Sequence, residues 1–580
     1  LASFTTFRHS LRSLAAGLGQ VQRDVLLLLL VGTVLFAAGL GLRDPWPADE
    51  PRFALIARDM VASGQWLIPS VGGDFYADKP PLFFWAIASF YQLTGSLRVA
   101  FLLPSLLAAL GSLLLVYDLG RRVWSRESGL AAALLLAGSV QFVLQARSAQ
   151  IDMLLTFFTT AALYGIGRHL LVGPDWRAYA LGGFAAGLGV ITKGTGFLPL
   201  LLLLPFFALR RLGFAGLWVG RGGAKWWLAP GAALVAIALW LLPMLVVVGM
   251  SGDPQLAAYR DEILLQQTVT RYAAAWHHHE PWYYFILQVI PGLWLPGIAL
   301  LPWLVPQWRR AWVAREGGPW LLLVWILLVV VFFSISPGKR GVYVLPALPA
   351  LALAAAPWLP GLWARRKAQQ LVFGLAAMLV VACIGAILYF VALQPGRLAE
   401  LTQRYDVVSL APLGGIAAGI GLVLVALGPR RGFLAWGGSL AVVVVVIGFW
   451  INPMIDGARS GRDFVATVER ITPAAVELGF LAYREQYLLQ VKRPVTNFGH
   501  RRDREGEQET YDAAAWLNEA SGRVLLVDES RRERCFSAAP ATRVGEANRS
   551  TWYLVVRPAD PDCAERGRLE AARHYAVSAH

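Results

Sequence analysis

Apolar stretches long enough to cross a lipid bilayer recur along most of this chain, and they constrain its fold before any other feature does. A crossing helix needs roughly 20 apolar residues. On that criterion thirteen segments are read as crossings: 25–42, 98–119, 129–147, 153–171, 178–192, 195–209, 227–250, 282–305, 319–335, 341–360, 369–393, 410–427 and 433–451. The composition agrees, with 57% hydrophobic and only 15% charged residues, well outside the soluble average. The first segment, Val25 to Leu42, has no small-residue cleavage site at its end and reads as a retained span. Trp46, Trp226, Trp227, Trp282, Tyr283, Tyr284 and Trp450 stand at segment ends, where amphipathic rings prefer headgroup depth. The expected class is a polytopic α-helical membrane protein with a transmembrane domain over 1–451 and an α/β domain over 452–580.

A further apolar segment, Pro81 to Leu93, is short and follows a Pro-Pro; it reads either as a span or as a helix at the interface. The sorting of Lys and Arg to the cytoplasmic side arbitrates. If this segment does not cross, every dense basic cluster falls on one side: Arg121, Arg122 and Arg126; Arg210, Arg211, Arg221 and Lys225; Arg309, Arg310 and Arg315; Arg365, Arg366 and Lys367; Arg430 and Arg431. Counting it as a span inverts them all. The expected topology therefore has the N-terminus inside, and outside it a long first loop (43–97), turns at Asp152, Lys193 and Pro337–Arg340, and the tail. The net charge of +15 lies in these clusters rather than on one surface, so no nucleic-acid partner is expected.

Within the first loop, Phe53, Ile56, Ala57, Met60 and Val61 recur at helical spacing opposite Arg52, Asp59 and Ser63, which predicts an amphipathic helix on the membrane. The tail predicts helices at Asp463–Ile471 and Tyr511–Ala520 and strands at Val476–Tyr483, Val524–Asp528 and Thr551–Val556. Cys535 and Cys563 share that tail; a bridge and free thiols both satisfy the sequence.

Positive charges outside run against the sorting rule. Arg52, Arg58, Lys79, Lys193, Arg260, Arg271, Lys339 and Arg340 form that set. Phosphate recognition explains such a set, and snorkelling explains any single member equally well. Asp49 and Glu50 follow the first crossing, and Asp152 stands at the outer end of the fourth. A helix cap is the local alternative for Asp49 and Asp152. The run His277-His278-His279-Glu280 has no regular zinc-ligand spacing, so no catalytic metal is expected.

An acidic pair after the first span, an amphipathic helix in a long outside loop, a second acid in the next outside turn and a soluble tail together resemble the GT-C glycosyltransferases, specifically the protein O-mannosyltransferase-like family. Ala48-Asp49-Glu50-Pro51-Arg52-Phe53-Ala54, Ser63-Gly64-Gln65-Trp66, Tyr76-Ala77-Asp78-Lys79-Pro80, Thr192-Lys193-Gly194 and His278-His279-Glu280-Pro281-Trp282 are similar to motifs of the bacterial undecaprenyl phosphate-aminoarabinose transferases that modify lipid A. Ala77-Asp78 departs from the Phe-Glu often found there.

The resemblance implies a glycosyltransferase of the bacterial inner membrane with its site and tail facing the periplasm. It implies an undecaprenyl-phosphate-linked aminoarabinose donor, a lipid A acceptor, surrounding membrane lipids, no required cofactor and a monomer, with resistance to polymyxin as the consequence. It makes Asp49 and Asp152 the catalytic acids. It makes Lys79 and Arg52 contacts to the carrier phosphate, with Tyr76 and Tyr343 lining the cavity; the outside charges and the acidic and histidine runs add Glu50, Lys193, Arg271, His278 and Lys339 as expected contacts to substrate or phosphate. A protein O-mannosyltransferase-like enzyme and a lipid-linked sugar flippase are the competing readings; a flippase would place ionisable groups near mid-membrane.

Overall fold

The computed structural model describes residues 19–264, 279–405, 407, 409–500 and 502–576. Hydrocarbon offers the backbone no hydrogen-bond partner, so apolar runs of this length satisfy themselves as helices. Among the described residues eight helices are long and apolar enough to cross a membrane: Gln20–Ala37, Leu97–Val123, Gly194–Arg211, Gly223–Ser251, Gly317–Ile335, Gly341–Trp363, Arg366–Leu393 and Pro429–Ser460. Two bent pairs raise the number to ten if each is one span. Arg126–Ala137 and Val140–Ala146 meet at 67°, and Phe285–Leu293 and Ile298–Val313 at 95°. The first bend falls at Gly138-Ser139 and the second at Pro296, the residue types that kink helices. The bend at Gly138 frees a carbonyl, which accepts from Trp436 Nε1 at 2.8 Å.

The thirteen expected crossings exceed this number partly because two are short helices: Ala411–Leu427 has 17 residues and Trp176–Val190 has 15. At 1.5 Å per residue these rise about 22–26 Å, less than a ~30 Å core. Ile151–Gly167 runs on directly through Arg168–Val172, so its length does suffice; Asp152, Arg168 and His169 make it less apolar than the eight. Residues 81–93 fall in a 13-residue helix, Leu82–Thr94, whose Phe83 and Phe84 pack on Phe53 with ring centroids 5.6 Å apart. Its length favours the interfacial reading.

Small residues let neighbouring helices approach closely, the packing mode available where water does not drive association. A Cβ on Gly183 would overlap the Ala229 backbone, and one on Gly187 the carbonyl of Ala233. These contacts bind Trp176–Val190 to Leu228–Ser251 and hold the turn at Lys193 that follows.

The last span helix does not stop at the expected boundary of 451; it continues to Ser460, where Gly461 takes φ 77°. Beyond it the tail folds around a six-stranded mixed sheet. Its strands are β3 (Glu477–Phe480), β4 (Val495–Asn497), β5 (Arg523–Asp528), β6 (Ala541–Ala547), β7 (Ser550–Val555) and β8 (Arg573–Tyr575), in the order β6-β7-β5-β3-β4-β8. The central pairs β4·β3 and β3·β5 are parallel and the outer ones antiparallel. Helices Arg462–Ile471 and Gln508–Glu519 lie close to their expected bounds. Cys535 and Cys563 form a disulfide.

The predicted amphipathic helix spans Glu50–Ser63, but much of its polar face is covered, with Ser63 at its end exposed. Phe53, Ile56, Ala57 and Met60 are buried, and the opposite side is held by the tail. Arg58 donates to the carbonyls of Leu488 and Leu489 at 2.8 and 2.9 Å, and Tyr575 donates its hydroxyl to Asp59 at 2.5 Å. Beyond it a tight hairpin pairs β1 (Ser70–Val71) with β2 (Asp74–Phe75). Its two turn residues, Gly72 and Gly73, have φ of 61° and 99°, which glycine adopts without strain. Asp74 accepts from Arg573 Nε at 3.0 Å and from the His500 amide at 2.8 Å. The first loop is thus wedged between the helical bundle and the tail.

Candidate active site

Asp49 precedes helix Glu50–Ser63, yet its side chain caps nothing. Pro51 lacks an N–H, which removes one donor a cap would serve. The carboxylate instead accepts from Arg340 Nη2 at 2.9 Å and stands 3.9 Å from Arg52 Nη1. Its position is set by its neighbour. Glu50 is buried, with both oxygens filled: Arg43 grips it through two nitrogens, the Trp46 amide donates at 3.0 Å and the Ala149 amide at 2.9 Å. Expected among the substrate contacts, Glu50 here ties the first loop to the turn that leads into Asp152.

Asp152 opens helix Ile151–Gly167 and likewise makes no cap; Gln150 holds the cap position without a side-chain bond. Asp152 Oδ1 accepts from Lys193 Nζ at 2.6 Å. The same ammonium lies 4.4 Å from the centroid of the Tyr343 ring, a cation–π distance. Lys193 precedes the 3₁₀ segment Gly194–Leu202. The loop bearing Lys79 is pinned to this turn, because the Leu82 amide donates to the Ile191 carbonyl at 3.3 Å. Lys79 Nζ donates to the Asp78 carbonyl at 3.0 Å.

Arg340 links the two acids. Burial lowers its pKa, and the charges of Asp49 and then Asp152 more than offset that. The 3₁₀ segment Gly341–Ala347 follows directly, so Arg340 at its cap and Tyr343 within it reach Asp49 and the Asp152–Lys193 pair from one turn. That turn is fixed on its far side. Lys339 is buried and donates to the Glu280 carbonyl at 2.7 Å, the Glu280 amide donates to the Pro337 carbonyl at 3.3 Å, and Gln141 Nε2 donates to the Gly341 carbonyl at 2.7 Å. Burial pulls the Lys339 ammonium below its ordinary pKa. Lys339 was expected to face phosphate; here it clamps the loop.

The tail completes one wall. Arg52 Nε donates to Glu485 Oε1 at 2.6 Å, and His500 Nδ1 lies 3.8 Å from the same oxygen. Tyr76 is buried against Phe84, with its ring 6.0 Å from that of His500. Burial alone would lower the pKa of Arg52; Glu485, Tyr76 and Asp49 raise it above the ordinary guanidinium value.

Asp49, Arg52, Asp152, Lys193 and Tyr343 therefore converge, whereas Glu50 and Lys339 serve the frame. Arg58, one of the outside cations, is taken up by the tail. Arg271 and His278 lie outside the described residues, as does His277; His279 forms an isolated bridge with Gly338. Sequence reasoning did not find Glu485, since nothing near it marks it as facing a loop 433 positions away. Arg340 belonged to the outside cations but carried no sign of pairing with Asp49. Interleaved, partly buried cations and carboxylates suit a reaction that moves a sugar away from a phosphate, because a leaving anion needs fixed positive charge.

Comparison with known proteins agrees with this chemistry. Residues 78–248 match the family model of dolichyl-phosphate-mannose-protein mannosyltransferases. The chain is 30% identical over 405 residues to undecaprenyl phosphate-alpha-4-amino-4-deoxy-L-arabinose arabinosyl transferase 1 of Pseudomonas fluorescens, covering 68% of this chain and 70% of that protein. It is 32% identical over 342 residues to the transferase of the same description from Pseudomonas aeruginosa, covering 56% and 58%. The fold matches the crystal structure of ArnT from Cupriavidus metallidurans in the apo state with a TM-score of 0.72 at 19% identity, covering 95% of this chain and 100% of that one. The undecaprenyl phosphate-bound crystal structure of the same protein gives 0.71 at 20% identity, covering 91% and 97%.

Proposed function

The chain belongs to the undecaprenyl phosphate-aminoarabinose arabinosyl transferase family, membrane GT-C glycosyltransferases that use a polyprenyl-phosphate sugar donor, and from that premise we propose that it moves 4-amino-4-deoxy-L-arabinose from undecaprenyl phosphate to a phosphate of lipid A. The reaction is proposed for the periplasmic face of the bacterial inner membrane; the sorting of Lys and Arg, which favours an outside position for Asp49, Asp152 and the tail, supports that side. Adding an aminosugar offsets negative charge on lipid A and so weakens binding of cationic peptides such as polymyxin.

In the proposed reaction the bond from the sugar's anomeric carbon to the carrier phosphate oxygen breaks, and a lipid A phosphate oxygen bonds to that carbon. Undecaprenyl phosphate leaves with the electron pair. Lys79, Lys193 and Arg52 supply the positive charge that the leaving phosphate needs. The acceptor is a phosphate monoester whose second pKa is about 6, so it is already largely ionised at neutral pH and needs little help from a base. Asp49 therefore acts mainly by placing the acceptor or stabilising positive charge on the sugar ring. The transfer changes no oxidation state, and the proposed reaction requires no cofactor; turnover in chelator should match turnover without it. The protein is proposed to act as a monomer.

The observation that carries this reading is the pairing of each acid with its own cation, Asp49 with Arg340 and Asp152 with Lys193. The test supplies purified protein with aminoarabinosyl or mannosyl undecaprenyl phosphate and with lipid A or a Ser/Thr peptide. Transfer of aminoarabinose to lipid A is expected. Mannosylation of the peptide would move the chain to the O-mannosyltransferase-like reading, and donor binding without any transfer would favour a flippase.

A further inference from the structure

We infer that Arg340 is a positioning residue for Asp49, and that the short turn it begins sets the spacing between the two acidic sites. The inference rests on the proposed sugar transfer, and it concerns a residue outside the phosphate contacts named for that reaction.

Arg340 Nη2 is 2.9 Å from Asp49 Oδ2, so one carboxylate oxygen is directed by a donor 291 positions away. The other oxygen faces Arg52 Nη1 at 3.9 Å. Arg52 is itself held by Glu485 at 2.6 Å, which leaves Arg340 as the closer restraint on the carboxylate. Three residues on, Tyr343 lies under the Lys193 ammonium that pairs with Asp152, and the Tyr343 amide donates to the Arg340 carbonyl at 3.0 Å. A 3₁₀ turn rises about 2 Å per residue, so Arg340 and Tyr343 stand about 6 Å apart along it, and a shift of Arg340 bears on the ring that faces Lys193.

The turn is also anchored away from the acids, by the Lys339–Glu280, Glu280–Pro337 and Gln141–Gly341 bonds. Arg340 is the one side chain of the Pro337–Arg340 loop that reaches Asp49. A planar guanidinium fixes both distance and direction of the carboxylate, where an ammonium fixes only charge.

The test compares Arg340→Gln, Arg340→Lys, Asp49→Asn and the double variant R340Q/D49N by steady-state transfer, undecaprenyl phosphate binding and thermal unfolding in detergent. For R340Q we expect kcat to fall about 100-fold, the loss that a displacement of about 1 Å can cause, with the donor KM and carrier binding unchanged. R340K should recover part of that rate. R340Q/D49N should be no slower than D49N alone, since a residue that acts through Asp49 adds nothing once Asp49 is removed. A raised donor KM at unchanged kcat would make Arg340 a phosphate contact and overturn the inference, as would additive losses or wild-type rate in R340Q.

Thermal unfolding keeps the two proposals separate. If the wild type transfers no sugar to any acceptor, the proposed function fails, and non-additive shifts of R340Q and D49N in unfolding temperature still test the contact. Additive shifts would overturn it. Should R340Q fail to fold, R340K carries the same comparisons.

Discussion

Arg52 and Glu485 meet at 2.6 Å although 433 positions separate them, so the tail decides where a cation of the first loop points. The Arg52 side chain is 25% exposed and that of Glu485 12%, which leaves the pair only partly screened. Replacing Glu485 with Gln removes one charge and frees the guanidinium to turn fully toward Asp49. Because Arg52 keeps some solvent, we expect a loss of about 2 kcal/mol, below the ~3–5 kcal/mol for breaking a fully buried pair. Turnover should fall about tenfold as Arg52 leaves its place, a change of ~1.4 kcal/mol in the barrier. Thermal unfolding and transfer assays on E485Q measure both.

Lys193 and Asp152 form a pair that neither residue can leave without cost. Their side chains are only 14% and 10% exposed, and Nζ to Oδ1 is 2.6 Å. Lys193→Met leaves the Asp152 carboxylate with the more distant charge of Arg340, and Asp152→Asn leaves the Lys193 ammonium facing a neutral amide and the Tyr343 ring. Each single variant should be less stable than the wild type by about 3 kcal/mol, as for other buried pairs broken on one side. The double variant D152N/K193M should regain most of that stability and none of the activity. Equal stability losses that simply add would show that the two side chains do not depend on one another.

The apolar face of helix Glu50–Ser63 was legible because burial leaves a period of 3.6 in the sequence. The same pattern lays the helix on the membrane, whereas Arg58 and Asp59 are gripped by Leu488, Leu489 and Tyr575. Contacts between polar groups distant in sequence leave no periodicity, and the pairing of Asp49 with Arg340 was hidden for the same reason. In the tail, β3, β5 and β7 were found from runs of apolar and β-branched residues. Strands β4 and β8 are three residues each, too short to alternate, and Ala541–Ala547 forms a polar outer strand with little apolar signal. Thirteen crossings were expected because composition reports an apolar run without reporting where a helix starts, bends or stops short.

Asp59 makes the junction between first loop and tail sensitive to acid. Burial raises its pKa from 3.8 to about 6, against the lowering effects of the Tyr575 hydroxyl, Arg58 and the Gly72 amide. A carboxyl whose folded pKa lies above its unfolded value binds more protons when folded, so stability declines as pH rises between the two values. The expected contribution is therefore complete below about pH 4 and lost by about pH 6, the window between the unfolded and folded values. Asp59→Asn stays neutral throughout and should flatten this part of the stability profile. Unfolding temperatures of wild type and D59N across pH 4 to 7 provide the check; parallel profiles would remove Asp59 as the cause.

The disulfide between Cys535 and Cys563 should matter to the tail and not to the transfer. It lies in the apolar cluster around Phe498, Trp516 and Leu517, apart from the Arg52–Glu485 contact. Its closed loop spans 28 positions. Chain-entropy reasoning puts the stabilisation from a loop of that length at about 3.6 kcal/mol, through restriction of the unfolded chain. Alkylation with and without reductant should reveal two additional modified thiols after reduction. C535S/C563S should lower the unfolding temperature of the tail while keeping kcat and donor KM at temperatures where the tail stays folded. A loss of kcat in that folded range would mean that the bridge also holds Glu485 against Arg52, and would extend the reach of the tail into the site.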